Sequence, residues 1–232
     1  MSNDLNVLYE DNHIIIVSKT CHDIVQGDKT GDVTLADKVK AYIKEKYAKP
    51  GAVFCGVTHR LDRPTSGIVV FARTSKALER MNKMFAEHKV KKTYWAVTEH
   101  TPKPESGELR HWLKRIERLN KTVVTEKEAK DSKEAILTYN TIAKGDRYTL
   151  VEVNLKTGRH HQIRAQLSAI GCVIKGDLKY GAKRSNKDGG ISLHARRIEF
   201  EHPVSKAQID ITAPVPDDNL WKALEKAAQT DK

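Results

Sequence analysis

The stretch His59-Arg60-Leu61-Asp62-Arg63-Pro64-Thr65-Ser66-Gly67 runs directly into the apolar sequence Ile68-Val69-Val70-Phe71-Ala72. A β-branched run of that length, opened by a Pro-Thr-Ser-Gly turn, reads as a buried strand. The fold must therefore place a charged loop at the mouth of an interior strand. The loop's single carboxylate, Asp62, stands between Arg60 and Arg63. Flanking positive charge favours the ionised carboxylate, which is the form a carboxylate nucleophile needs. A surface Asp-Arg pair has the same spacing and contributes little, so spacing alone leaves both readings open.

Other segments set the fold class. Ile14-Ile15-Ile16-Val17 reads as a second buried strand. Gly27, Gly31 and the acids near them suggest a loop, with no Gly-x-x-x-x-Gly-Lys phosphate cradle after it. Leu35, Val39, Tyr42, Ile43 and Tyr47 recur at helical spacing behind a Thr34 cap, and Pro50-Gly51 lies past the end. Thr74 or Ser75 caps a second helix with Leu78, Met81, Met84 and Phe85 as its core stripe. A strand is expected over 93–98, and a hairpin or surface insertion in the charged stretch from Pro102 to about Lys133. Alternation over 136–142 and 148–155, with Gly145-Asp146 between, predicts a hairpin. Gln162 to Ile170 reads as a helix stopped by Gly171. A late strand over 208–212 and a short helix around Leu220, Trp221 and Leu224 complete the chain. Strands outnumber helices without regular alternation, which argues for α+β with a largely antiparallel sheet.

At 232 residues, with no linker or repeat, the chain is expected to form one domain, 1–232. Forty-one Lys and Arg against 30 Asp and Glu give a net charge of +11, a surplus that attracts polyanions. The three cysteines, Cys21, Cys55 and Cys172, are scattered and read as reduced thiols, so neither a disulfide framework nor zinc is implied. No apolar run approaches the roughly 20 residues of a membrane span. Met1 to Asp4 lack a targeting pattern, so cytoplasm is the default expectation.

Four segments in order resemble the RluA-type pseudouridine synthases, enzymes that isomerise uridine in structured RNA. The Asp62 stretch matches their active-site motif. Lys92-Thr93-Tyr94-Trp95-Ala96-Val97 is similar to the second motif and Thr157-Gly158-Arg159-His160-His161-Gln162-Ile163-Arg164 to the third. Ile191-Ser192-Leu193-His194-Ala195 matches a later pocket segment. The resemblance covers about residues 5 to 215. It departs at Ser18-Lys19-Thr20-Cys21-His22, where relatives typically show Lys-Pro-Ala-Gly, and at Gln166, where a histidine often stands.

The resemblance implies a mixed, mainly antiparallel central sheet flanked by helices, with the active cleft across it. It implies Asp62 as catalytic nucleophile or base, and Tyr94 as an aromatic face with a hydroxyl for proton transfer. Arg164 corresponds to the arginine that pairs with the catalytic carboxylate, and its side chain is expected on the helix face opposite Ile163 and Leu167. Arg60 corresponds to the position that fills the gap left by the flipped base, and Leu193 to an apolar wall of the uracil pocket. No cofactor and no metal are implied, and His59, His160 and His161 read as hydrogen-bonding or phosphate-adjacent groups. Many relatives carry an additional N-terminal RNA-binding domain for which the chain is expected to have no room. The expected partner is structured RNA, with large-subunit ribosomal RNA ahead of transfer RNA and no obligate protein partner for a monomer. The alternative is a non-catalytic RNA-binding or ribosome-assembly factor on the same fold.

Overall fold

Asp11 starts the architecture by turning the chain. Its Oδ1 accepts the backbone N–H groups of His13 (2.7 Å) and Ile14 (2.8 Å), closing a hairpin between β1 (Asn6–Glu10) and β2 (Ile14–Lys19). In the computed structural model residues 5–27 and 31–230 are described. Met1 to Asp4 and residues 28–30, within the expected Gly27–Gly31 loop, lie outside them.

The remaining elements follow in chain order: α1 (Leu35–Lys46), β3 (Gly56–Val57), β4 (Ser66–Ala72), α2 (Ser75–Ala86), β5 (Lys91–Thr98), β6 (Ser106–Ile116), β7 (Lys121–Thr125), β8 (Lys133–Lys144), β9 (Thr149–Leu155), α3 (Gln162–Ala169), β10 (Leu193–Glu201), β11 (Gln208–Thr212) and α4 (Asn219–Thr230). The fold is α+β with a mixed, mainly antiparallel sheet and, among the described residues, four helices. Two compact units divide it: residues up to Lys91 with Ala195–Pro214, and Lys92–His194 with Val215 onward.

In the first unit the strand order is β1-β2-β4-β10, with β11 on β10 and β3 on β4. Ile14 to Val17 and Ile68 to Ala72 are at most 2% exposed, as continuous β-branched runs require. Antiparallel register sets Lys19 opposite Gly67, beside the Asp62 loop. Thr34 and Asp37 form a reciprocal capping box at the start of α1, and the Thr74 side chain caps α2 through the Ala77 N–H. The expected α2 stripe is rotated: Ala77 and Met81 are fully buried, while Leu78, Met84 and Phe85 are half-buried. A one-sided surface helix buries the small residue at its closest approach and leaves long side chains along the margin.

The second unit orders its strands β5-β9-β8-β6-β7, all antiparallel. The charged segment after Pro102 is a true hairpin, β6 to β7, turned by a 3-10 helix over Glu117–Leu119 and a left-handed Asn120 (φ 43°). α4 spans 12 residues, longer than expected, and packs Trp221, Leu224 and Ala228 on Val97, Ala143 and Leu150.

Candidate active site

The loop that carries Asp62 is held from several directions within the first unit. Thr58 Oγ1 donates to the Val70 carbonyl (2.7 Å), and the Val70 N–H donates to His59 Nε2 (3.0 Å), whose ring lies 4.8 Å from that of Phe85. The Thr65 N–H closes the turn onto the Asp62 carbonyl at 3.0 Å. Gly67 has φ 110°, and a Cβ there would come within 2.5 Å of the Ala195 backbone nitrogen. Only glycine fits that position.

Lys19 supports this turn. Its side chain is buried at 1% exposure, and its ammonium donates to the carbonyls of Thr20 (2.7 Å), Arg63 (2.8 Å) and Thr65 (2.7 Å). Two of those carbonyls belong to the turn after Asp62, and all three ammonium hydrogens have acceptors. Burial pushes the Lys19 ammonium down to about 8, against the opposing charges of Asp23, Cys21 and Asp62. Asp62 itself is half-buried and Arg60 exposed. Arg63 reaches the Asp32 carboxylate at 3.2 Å, in a surface pair of small energetic value.

The second unit contributes Tyr94 on β5 (8% exposed), Arg164 on α3 (5%) and Leu193 at the start of β10 (4%). Tyr94 is more buried than a half-covered strand tyrosine, set in register with Val153. The Arg164 side chain is not on a solvent face, because α3 is buried at every position from Gln162 to Leu167. Within its unit Arg164 forms a two-pronged pair with Asp177: Nε to Oδ2 at 2.7 Å and Nη2 to Oδ1 at 2.8 Å. Its guanidinium also lies 4.9 Å from the centre of the Tyr180 ring. A fork and a flat aromatic face fix both the direction and the plane of the guanidinium.

The turn carrying Asp177 and Tyr180 reaches the third motif as well. The Tyr180 hydroxyl accepts the Thr122 N–H (2.9 Å) and lies 3.0 Å from the Thr122 carbonyl and 2.9 Å from His161 Nδ1. Its single hydrogen serves one of those two acceptors; when it goes to the carbonyl, Nδ1 carries its own hydrogen. His160 stacks on His161 at 3.7 Å, with Nδ1 2.8 Å from Thr122 Oγ1. These histidines thus make hydrogen bonds, as expected. Gln162 ties the motif to β8 through Nε2 to the Ile136 carbonyl (3.1 Å) while its Oε1 accepts from the Thr157 hydroxyl and the Arg159 N–H. Gln166, where relatives often carry histidine, is fully buried, its amide nitrogen 3.2 Å from the carbonyls of Leu109 and Ala135.

Sequence reasoning did not single out Lys19, Asp177 or Tyr180. Lys19 left a signal: a lysine ending a fully apolar strand has to bury its stem. Asp177 left none, since an acid in a Gly-rich turn resembles a surface residue.

A half-buried carboxylate is thus fixed on a rigid turn of a mainly antiparallel α+β protein. The sequence model of the RNA pseudouridylate synthase family matches residues 13–169, and the chain belongs to that family. It is 31% identical over 246 residues to tRNA pseudouridine synthase C of Haemophilus ducreyi, covering 95% of this chain and 94% of that protein. It is 32% identical over 242 residues to ribosomal large subunit pseudouridine synthase D of Xanthomonas campestris pv. campestris, covering 96% of this chain and 70% of that one. The solved structure of human RNA pseudouridylate synthase domain containing 4 shares the fold, with TM-score 0.77 at 22% identity over 97% of this chain and 93% of that one.

Proposed function

We propose that this protein isomerises specific uridines in structured RNA, large-subunit ribosomal RNA first and transfer RNA second, with Asp62 opening the reaction. One observation carries the reading: within a pseudouridine synthase chain, the Asp62 turn is fixed by a buried lysine and by a glycine that no other residue can replace. The relatives named above for transfer and ribosomal RNA support both substrate classes.

The reaction breaks the bond between ribose C1′ and uracil N1, turns the base, and joins C1′ to C5. N1 gains a proton and C5 loses one, so nothing is oxidised and no cofactor is required. Asp62 acts as nucleophile or base at the reacting nucleoside. The target base has to leave its stack, at a cost of a few kcal/mol. Arg60, exposed on the same loop, presents a planar guanidinium suited to stacking in the gap the base leaves. Tyr94 offers its ring to the base and its hydroxyl to proton transfer. Leu193 walls the uracil apolarly, and Arg164 serves the Asp62 carboxylate. In this reading residues 1–232 work as one catalytic domain, monomeric and cytoplasmic. No helix among the described residues is long and apolar enough to cross a membrane.

The test is pseudouridine mapping in total RNA from cells with the native protein, with Asp62→Ala, and without the protein. The expected result is one or more sites that need both the protein and Asp62. Full modification by the Asp62→Ala variant would sink the proposal and leave an RNA-binding or assembly role on the same fold.

A further inference from the structure

Two 3-10 turns of the second unit, Glu117–Leu119 and Leu178–Tyr180, are tied together although they are far apart in sequence. Lys179 donates its ammonium to the carbonyls of Leu119 (3.4 Å) and Asn120 (3.0 Å), and the Lys121 ammonium lies 5.0 Å from the Tyr180 ring centre. Each turn then presents one large apolar side chain to water, Leu119 at 52% exposure and Leu178 at 57%. Folding does not call for either. The neighbours that anchor the second turn, Asp177 and Tyr180, are buried at 1% and 6%, so position 178 could be polar at no cost to the core. The surroundings are cationic. Arg115, Arg118, Lys121, Lys179, Lys183 and Arg184 lie on these segments, against Glu117 and an Asp177 already committed to Arg164. Exposed leucines on turns rich in cations match a polyanion that also has apolar faces, which describes unstacked RNA.

We propose that these paired turns form an RNA-contacting edge, with Leu119 and Leu178 packing against unstacked bases of the bound RNA while the cations of the same segments meet the flanking phosphates. The proposal rests on the RNA-modifying reading and names a substrate contact for it. Proteins that unstack nucleic acid combine an apolar wedge with basic side chains in this way. Extruding a uridine leaves neighbouring base faces uncovered, and apolar side chains can shield them.

The experiment measures binding of the full chain to unmodified transcripts of large-subunit ribosomal RNA and of transfer RNAs at several salt concentrations, alongside pseudouridine formation. A Leu119→Ser/Leu178→Ser variant is expected to raise Kd about tenfold with an unchanged salt slope, because apolar contacts release no counterions. Arg118→Gln is expected to flatten the slope of log affinity against log salt by about one. Both variants should melt like the native protein; Leu119→Ala alone replaces the double variant if it does not. Native affinity in the leucine variants would overturn the proposal. So would a switch from oligomer to monomer with RNA binding unchanged, which would assign the leucines to a second copy of the chain. Weakened binding with no pseudouridine formed by the native protein would refute the isomerase reading and leave this contact standing.

Discussion

Lys19 has three N–H bonds and three carbonyl acceptors, two of them in the turn that follows Asp62. A neutral amine keeps only two N–H bonds, so deprotonation leaves one carbonyl without its donor. The folded value near 8 lies below the ordinary 10.5, so the folded protein gives up this proton first. Between about pH 8 and 10.5 the unfolded chain binds more protons at this position. The group's contribution to stability therefore rises across that window. Catalysis runs the other way, because the turn loosens as the ammonium is lost. The rate of pseudouridine formation is expected to decline above about pH 8 while thermal stability does not follow it. Lys19→Met should slow the reaction at every pH and abolish that decline. A decline of the same shape in Lys19→Met would detach it from this lysine.

At the scale of elements, the 177–180 turn holds α3 to its place by gripping Arg164. Asp177→Asn takes one charged partner from a buried guanidinium, a loss of about 3 kcal/mol. At this chain length that corresponds to a fall in Tm of roughly 10 °C, read by calorimetry, with product formation reduced alongside. A Tm within a degree of native would show that the pair is not needed. The sequence made some elements legible and hid others for physical reasons. Ile14 to Val17, Ile68 to Ala72 and the Thr34 and Thr74 caps announced themselves, because burial and capping restrict residue type directly. β6 was obscured by its charge, since exposed and charged side chains along it mask the alternation that marks a half-buried strand, and β7 is a short strand of five residues with a single one fully buried. α3 misled the reading of faces because Gln162, Arg164 and Gln166 are polar yet buried, each hydrogen-bonded through its side-chain nitrogen to a partner from another element. The Asp62 motif was legible through resemblance, whereas the groups that hold it in place were not.

For the whole molecule, the charge of +11 sets how affinity responds to salt. If the protein neutralises about five phosphates, affinity for its RNA should drop about 100-fold between about 50 and 200 mM salt. Filter binding across that range checks it, and a flat response would mean that the surface charge does not engage the backbone. The order of the chain has a further consequence. β4 ends at Ala72, but its sheet neighbour β10 begins only at Leu193, after most of the second unit. During synthesis the interior strand behind Asp62 waits with most of one hydrogen-bonding edge bare, β3 covering only Phe71 and Ala72, for about ten seconds at ordinary translation rates. A bare, fully apolar edge is where nascent chains aggregate, so chaperone shielding of the emerging amino-terminal half should govern how much active protein a cell obtains.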